Sequence, residues 1–345
     1  MRMREIDGSY GEGGGQLLRL ACALGAITGE AVRVRNVRAR RRPPGLAAQH
    51  AAAVRAVALL CGGEVEGAEV GSADVIFRPG ARRGGEFTID VGTAGSVMLV
   101  LQALLPLAVT APAPTELRLI GGTDIRAAPP ADYVRFVLLP LLTAMGARVE
   151  LALVRRGYYP RGAGEVVVRV QPGPLSALVR EAAGKPERIE GAVHTAHLPA
   201  HVAERMERRA VELLRDVAPV RLTRQEVDAG LAFGPGGGIA LWTAGAPSLL
   251  GAAEVAQRGV PAEQIAETAA CTLRGDLEAG ATLDIHASDQ VLIYASLARG
   301  RSCFIARALT SHAATALWLL QQFLPLDVRT APAGNGIRVE IEPRA

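Results

Sequence analysis

The sequence predicts an α/β fold of the α+β type, built from three βαβαββ units and a smaller inserted α+β domain. Strand-like runs and amphipathic helical segments alternate in one order in three stretches of the chain. Between about residues 175 and 280 the order is different. Because 345 residues exceed the size of a typical single core, length alone also favours about two domains.

Hydrophobic periodicity gives the bounds of the elements of the three units. The N-terminal unit is predicted as strand 4–7, a helix from about 16, strand 31–37, helix 46–60 and strands 64–69 and 74–77. The middle unit is predicted as strand 87–91, a helix from 96, strand 116–120, helix 132–145 and strands 148–154 and 165–170. The last unit is predicted as strand 282–285, helix 289–298, strand 303–309, helix 312–323 and strands 327–330 and 336–341.

The inserted domain is predicted at residues 181–279, and the large domain of three βαβαββ units at residues 1–180 and 280–345. The elements of the insert are strands 188–196, 221–228 and 238–244 and helices 201–217 and 261–277. Its histidines at 194 and 197 would point to opposite faces of one strand, and Pro199 separates them from His201. This spacing argues against a metal site.

Composition and charge exclude several classes of protein. Hydrophobic residues make up 49% and charged residues 21%, which is ordinary for a globular protein. The four cysteines form no C-x-x-C pair, so neither a disulfide framework nor a zinc knuckle is expected. The most apolar stretch, 97–109, is broken by Gln102 and Pro106, and the N-terminus is polar. We therefore expect a cytoplasmic protein that is not bound to a membrane.

Basic residues are clustered, although the net charge of +4 is a weak argument for nucleic acid. Six arginines fall between residues 33 and 42. A solvated basic face and an anion-binding segment both remain open for this cluster.

His312 stands where a strand-like run gives way to an amphipathic helix. The first turn of a helix offers unpaired N–H groups and the positive end of the helix dipole, so a phosphate bound there would lie within reach of the ring. The other helix starts carry small or polar residues as well, among them the Gly-rich run 11–16. That run matches neither the Walker A pattern nor the dinucleotide fingerprint, so alone it indicates a tight strand-to-helix turn.

Taken together, several ordered motifs resemble those of the RNA 3′-terminal phosphate cyclase family over residues 4–342. The matching motifs are Ile6-Asp7-Gly8-Ser9, the run 11–19, Val37-Arg38 with Pro44-Gly45-Leu46 and Gln49-His50, the run 121–124, the run 128–133, Ser288-Asp289-Gln290 and the helix that opens at His312. The resemblance implies a pseudo-threefold arrangement of the three units. It also implies an ATP-dependent conversion of an RNA 3′-phosphate end to a 2′,3′-cyclic phosphate.

The resemblance assigns roles to individual residues. His312 would be the nucleophile that attacks the α-phosphate of ATP and becomes adenylated. Residues near the nucleotide and its phosphates would be Glu12, Gln102, Pro129, Tyr133, Asp289 and Gln290, with Glu12 also close to a divalent metal, Mg²⁺ or Mn²⁺. Residues at the RNA end would be Arg19, Arg38, Arg41 and Gln49. We expect the three arginines to be exposed charges in a cleft and His50 to be a structural helix residue.

Three positions depart from the family pattern. Pro43 stands where the family often has Lys, Ala316 where Asn commonly follows Thr, and His286 where an aromatic residue is common. These departures concern individual contacts rather than the reaction.

Two alternatives belong to other classes. A noncatalytic cyclase-like protein that binds RNA in ribosome assembly would lack the nucleophile, whereas His312 is present. An enolpyruvyl transferase would need two domains of three units each. The oligomeric state is left open, with a homodimer as one option.

Overall fold

The first unit forms six elements in the predicted order in a computed structural model that describes residues 3–344. They are β1 (Met3–Asp7), α1 (Gly15–Thr28), β2 (Ala31–Arg35), α2 (Ala48–Cys61), β3 (Glu64–Glu66) and β4 (Val75–Arg78). Strand β1 pairs in parallel with β2, and β4 pairs antiparallel with both β2 and β3. The sheet order is therefore β1-β2-β4-β3. Helix α1 ends at Gly29, whose φ of 74° is one that glycine adopts without strain.

The second unit repeats this order. Its elements are β5 (Gly85–Asp90), α3 (Val97–Val109), β6 (Thr115–Gly121), α4 (Ala131–Tyr133), α5 (Leu139–Ala144), β7 (Arg148–Arg155) and β8 (Gly164–Gln171). A π-helical turn, Val134–Leu138, joins α4 to α5, so the three segments form the single predicted helix. Pro140 follows this turn and cannot donate an i→i−4 hydrogen bond, which is a common cause of local irregularity in a helix. The sheet order is β5-β6-β8-β7.

The insert follows a short strand, β9 (Val179–Arg180). Its elements are β10 (Arg188–Ala196), α6 (His201–Leu214), β11 (Val220–Val227), β12 (Gly236–Ala244), β13 (Gly251–Val255) and α7 (Ala262–Glu278). The strands form their own sheet in the order β11-β10-β12-β13, and α6 and α7 pack on each other over a separate apolar cluster. Strand β13 was not predicted. The domain bounds at 181 and 279 stay a prediction.

The third unit is completed after the insert. Its elements are α8 (Ala287–Gln290), α9 (Leu292–Leu297), β14 (Ser302–Ala306), α10 (Ser311–Phe323), β15 (Leu326–Ala333) and β16 (Gly336–Pro343). Its sheet order is β15-β16-β14-β9, in which β9 pairs in parallel with β14. With β9 counted as its first strand, the third sheet has the same order as the other two.

The predicted strand 282–285 is therefore wrong. The N–H groups of Thr282 and Leu283 both donate to Ile305 O, at 2.8 and 3.2 Å, which is not a ladder pattern. The Asp284 carboxylate accepts the N–H groups of Gly251, His286 and Ala287. The insert thus interrupts the third unit between its first strand and its first helix. The pseudo-threefold placement of the units stays a prediction.

Helix α1 lies at the centre of the main core, because it packs against α2, α3 and α10. Its N-terminus follows the Gly-rich loop, and this loop contacts the first turns of α10. Within residues 3–344, no helix combines the length and the apolar character needed to cross a membrane.

Candidate active site

His312 is the second residue of α10, and its ring is held by a side chain from α1. Nδ1 of His312 lies 2.6 Å from Oε1 of Gln16. Because a carboxamide oxygen can only accept, Nδ1 carries the proton and Nε2 keeps its lone pair. Burial lowers the pKa of His312 below its usual 6.5, and the charges of Arg41 and Arg19 lower it further. At neutral pH the ring is therefore uncharged, as a nitrogen nucleophile must be.

The Gly-rich loop is fixed against α10 by Thr315. The N–H of Glu12 donates to Thr315 Oγ1 at 3.0 Å, and the Thr315 hydroxyl donates to Ser311 O at 2.7 Å. A methyl group added at Gly11 would collide with Thr315 Oγ1, and Gly11 has a φ of 57°. Only glycine fits this close approach without strain.

Glu12 points into the site from this loop. Its side chain is only 8% exposed, one oxygen forms an ion pair with Arg41, and Oε2 lies 3.8 Å from His312 Nδ1. Among the described residues, Oε2 has no hydrogen-bond partner. A buried carboxylate oxygen without a partner is costly, so this atom is suited to a ligand.

Arg19 is a buried cation without a carboxylate partner in the described part of the chain. It is 7% exposed, and burial lowers its pKa to about 10. Nη2 lies 3.4 Å from Gln102 Oε1, and Gln102 Nε2 donates to Gln290 Oε1 at 2.8 Å. The expectation of an exposed Arg19 is therefore wrong. A buried guanidinium without a counter-ion indicates an anion site, since the fold otherwise gains nothing for its desolvation.

The structure separates the remaining basic residues by environment. Arg41 is exposed, whereas Arg38 is half-buried and donates to the carbonyls of Gly45, at 2.6 Å, and Pro43. Gln49 Oε1 accepts from the N–H of Ser96 at 2.9 Å, so in this structure Gln49 links the starts of two helices. The RNA contact of Gln49 stays a prediction.

His50 is buried at the start of α2, where its Nδ1 accepts from the N–H of Ala47. Burial lowers the pKa of His50 to about 3, with further contributions from Arg19 and Arg38. A methyl group at Gly15 would collide with the ring. His50 therefore packs behind the Gly-rich loop as a structural residue.

A cavity of about 330 Å³ opens beside His312. It is lined by 125–130, Tyr133, Ala253, Glu254, Val255, His286, Gln290 and His312. Four predicted positions, Pro129, Tyr133, Gln290 and His312, thus meet at one cavity. The Tyr133 hydroxyl is buried and donates to Asp284 at 2.7 Å, so this residue offers its ring rather than its hydroxyl to the cavity.

Asp289 has a different environment. It lines a smaller cavity of about 70 Å³ together with Gln16, Arg19 and Gln102. Its Oδ1 accepts from Thr310 Oγ1 at 2.7 Å, and Thr310 caps α10 by accepting from the N–H of Ala313. Burial raises the pKa of Asp289 to about 7. Asp289 therefore anchors the cap of the helix that carries His312.

Sequence reasoning missed Gln16 and the contribution of the insert. Gln16 lies inside the Gly-rich motif, so its position carried a signal although no role was assigned to it. Strand β13, with Glu254, supplies one wall of the larger cavity, and this strand was not predicted. Burial raises the pKa of Glu254.

Of the three histidines in the insert, His194 lies in a buried ionic cluster and His197 contacts Ala232 O. The cluster joins Arg156 to Asp124 and Asp132, and the Tyr158 hydroxyl lies 2.9 Å from His194 Nδ1. Asp132 adjoins Tyr133, so this cluster supports the wall of the larger cavity.

The fold and the site define a protein of βαβαββ units in which a histidine at a helix start lines a cavity of about 330 Å³. The family model described as RNA 3′-terminal phosphate cyclase matches residues 10–330. The chain belongs to this family. It is 52% identical over 342 residues to the RNA 3′-terminal phosphate cyclase of Nitrosospira multiformis, covering 99% of this chain and 97% of the relative.

Further relatives carry the same name. The chain is 45% identical over 340 residues to the protein of Pyrobaculum neutrophilum, covering 98% of this chain and 97% of the relative. It is 44% identical over 349 residues to the protein of Methylococcus capsulatus, covering 98% and 96%. A solved EPSP synthase from Acinetobacter baumannii is 12% identical with a TM-score of 0.31, covering 99% of this chain and 64% of that chain. At that score the likeness supports no conclusion.

Proposed function

We propose that this protein converts an RNA 3′-phosphate end to a 2′,3′-cyclic phosphate in an ATP-dependent reaction, through adenylated His312 and an RNA-(3′)pp(5′)A intermediate. The observation that carries the proposal is the hydrogen bond from His312 Nδ1 to Gln16 Oε1. Because Gln16 binds Nδ1, the unprotonated Nε2 is the ring nitrogen that is free to react. The names of the relatives supply the RNA 3′-phosphate as substrate class.

In the first step, Nε2 of His312 attacks the α-phosphorus of ATP. A nitrogen–phosphorus bond forms, and the bond to the pyrophosphate oxygen breaks. The buried cation of Arg19 supports this step, because a desolvated guanidinium stabilises the negative charge that develops on the phosphate oxygens in the transition state. Arg41 supplies a second cation at the exposed side.

In the second step, an oxygen of the RNA 3′-phosphate attacks the phosphorus of the adenylate, and the bond to His312 breaks. In the third step, the neighbouring 2′-OH attacks the 3′-phosphorus, loses its proton and expels AMP. Ring closure is intramolecular, so holding the terminal ribose in place supplies much of the rate advantage.

The nucleotide is proposed to occupy the cavity lined by Pro129, Tyr133 and Gln290, with its phosphates toward Arg19 and Gln102. Asp289 would act on this site through Thr310 and the cap of α10.

The residues present also fit a divalent metal, Mg²⁺ or Mn²⁺. Oε2 of Glu12 is the buried oxygen without a partner, and Mg²⁺ in phosphate-transfer sites binds one or two carboxylates and completes its shell with phosphate oxygens and water. Bound there, the ion would neutralise charge on the phosphates.

The test uses a short RNA with a 3′-phosphate and a matched strand whose terminal sugar is 2′-deoxy. With ATP, the ribose-ended strand should lose water and release AMP. The deoxy-ended strand should accept AMP through a pyrophosphate linkage and stop, as seen by mass spectrometry. Equal release of AMP from both strands, or the absence of cyclic product from the ribose end, would contradict the proposal. Binding of RNA without any reaction would favour the noncatalytic alternative.

A further inference from the structure

Tyr10 and Trp318 form a stacked aromatic pair beside the candidate active site. Their ring centroids lie 3.8 Å apart and their planes differ by 22°. Tyr10 is 42% exposed although Trp318 covers one face of its ring. The exposed surface of Tyr10 therefore lies on its other face and its edge, which form a flat apolar platform.

This pair is linked to the nucleophile by the loop that carries Tyr10 and Glu12. His312, Thr315 and Trp318 follow one another at three-residue intervals, which places them on neighbouring turns. The loop contacts them in turn, since Tyr10 stacks on Trp318, the Glu12 N–H donates to Thr315 and the Glu12 carboxylate approaches His312. Trp318 lies six positions beyond His312 along α10, an axial rise of about 9 Å.

Exposed positive charge lies next to the platform. The N–H of Tyr10 donates to Asp7 O. Hydrogen bonds from Ser9 lower the pKa of Asp7, and the nearby charge of Arg40 lowers it further. Arg40 is exposed and lies near Asp7, and no salt bridge involves it among residues 3–344, so it can bind a phosphate of a strand that crosses the platform.

We propose that Tyr10, backed by Trp318, stacks on a base within the last three nucleotides of the RNA strand. The inference rests on the proposed function, because it takes RNA as the substrate. A stacked strand advances about 3.4 Å per nucleotide, so an axial separation of about 9 Å corresponds to about three nucleotides from the terminal phosphate. Every base has a π-face, so this contact binds the strand with little regard to sequence.

The first test compares Tyr10→Ala with Tyr10→Phe, which keeps the ring. The KM for a 3′-phosphorylated RNA should rise roughly fivefold to a hundredfold in Tyr10→Ala and little in Tyr10→Phe. An unchanged KM in folded Tyr10→Ala would overturn the proposal. Labelling of His312 by ATP alone is measured in the same preparations. A wild-type protein that takes no label would contradict the proposed function rather than this inference.

The second test removes bases from the RNA instead of the ring from the protein. Three strands carry a single abasic residue at the last, second-last or third-last position. One of them should show a raised KM with the wild-type protein and with Tyr10→Phe, but no additional rise with Tyr10→Ala. If none of the three abasic strands raises the KM of the wild-type protein, the proposal is wrong even when Tyr10→Ala fails to fold.

Discussion

Nδ1 of His312 donates to Oε1 of Gln16 across 2.6 Å, and this contact joins the first turns of α10 and α1. It fixes both the tautomer and the orientation of the ring, so that Nε2 is the nitrogen with a free lone pair. In the proposed reaction the side chain of Gln16 would act only through His312, as a positioning residue.

Replacing Gln16 by Met should slow adenylation on the order of tenfold to a hundredfold, because the ring loses its acceptor while the site keeps its volume. Gln16→Glu is the matched control, since it restores an acceptor at the same distance. Its negative charge should raise the pKa of His312 and move the acid limb of adenylation to higher pH. Equal rates for the wild type and Gln16→Met in single-turnover labelling would contradict the assigned tautomer.

The charge of Arg41 should affect the pH below which the rate of adenylation falls. The neutral ring is the reactive form, and the pKa of His312 lies below 6.5, so labelling should persist at pH 6.5 and decline at lower pH. Arg41→Ala removes a charge that lowers this pKa and should move the acid limb to higher pH. Arg42→Ala, an exposed neighbour, should leave it in place. If the labelling rate of Arg41→Ala declined at the same pH as that of the wild type, or at a lower pH, this account would be refuted.

Arg19 should be needed for activity and unfavourable for stability. Its guanidinium is buried without a carboxylate partner among the described residues, so Arg19→Met should stabilise the free protein by roughly 1–4 kcal/mol. The same change should abolish the stabilisation that ATP gives in thermal melts, because that stabilisation measures binding to the folded state. Arg41→Ala, at an exposed position, should leave the Tm of the free protein nearly unchanged. A destabilised Arg19→Met would mark Arg19 as structural.

Asp289→Asn should stabilise the protein increasingly as pH rises. The folded-state pKa of Asp289 is about 7, against an ordinary value of 3.8, so its ionisation opposes folding from pH 4 upward and most strongly above pH 7. The amide oxygen of Asn can still accept from Thr310 and retain the helix cap. The Tm difference between the variant and the wild type should therefore be larger at pH 8 than at pH 5. A difference independent of pH would show that burial does not raise this pKa.

Much of this architecture follows from hydrophobic periodicity. The 3.6-residue and two-residue patterns located the long elements of all three units and of the insert to within a few residues. Strand β9 was missed because a two-residue strand shows no periodicity. Residues 282–285 were wrongly predicted as a strand because the N–H groups of Thr282 and Leu283 both donate to Ile305 O, an arrangement that an apolar pattern does not reveal.

The site was partly predictable for a different reason. The helix start at His312 indicated phosphate chemistry, and the family resemblance placed Glu12 near the phosphates. The structure brings both residues to one site. The burial of Arg19 and the contact between Gln16 and His312 depend on how α1 packs against α10. Such contacts between distant segments leave no local pattern in one sequence.

The central claim is that His312 carries AMP. Wild-type protein incubated with α-labelled ATP and metal, then separated by denaturing electrophoresis, should retain the label in an acid-labile bond. His312→Asn, checked as folded by circular dichroism, should retain none, while Ala314→Ser, an exposed change on the same helix, should label as the wild type does. Label that persists in folded His312→Asn would show that another residue is the nucleophile.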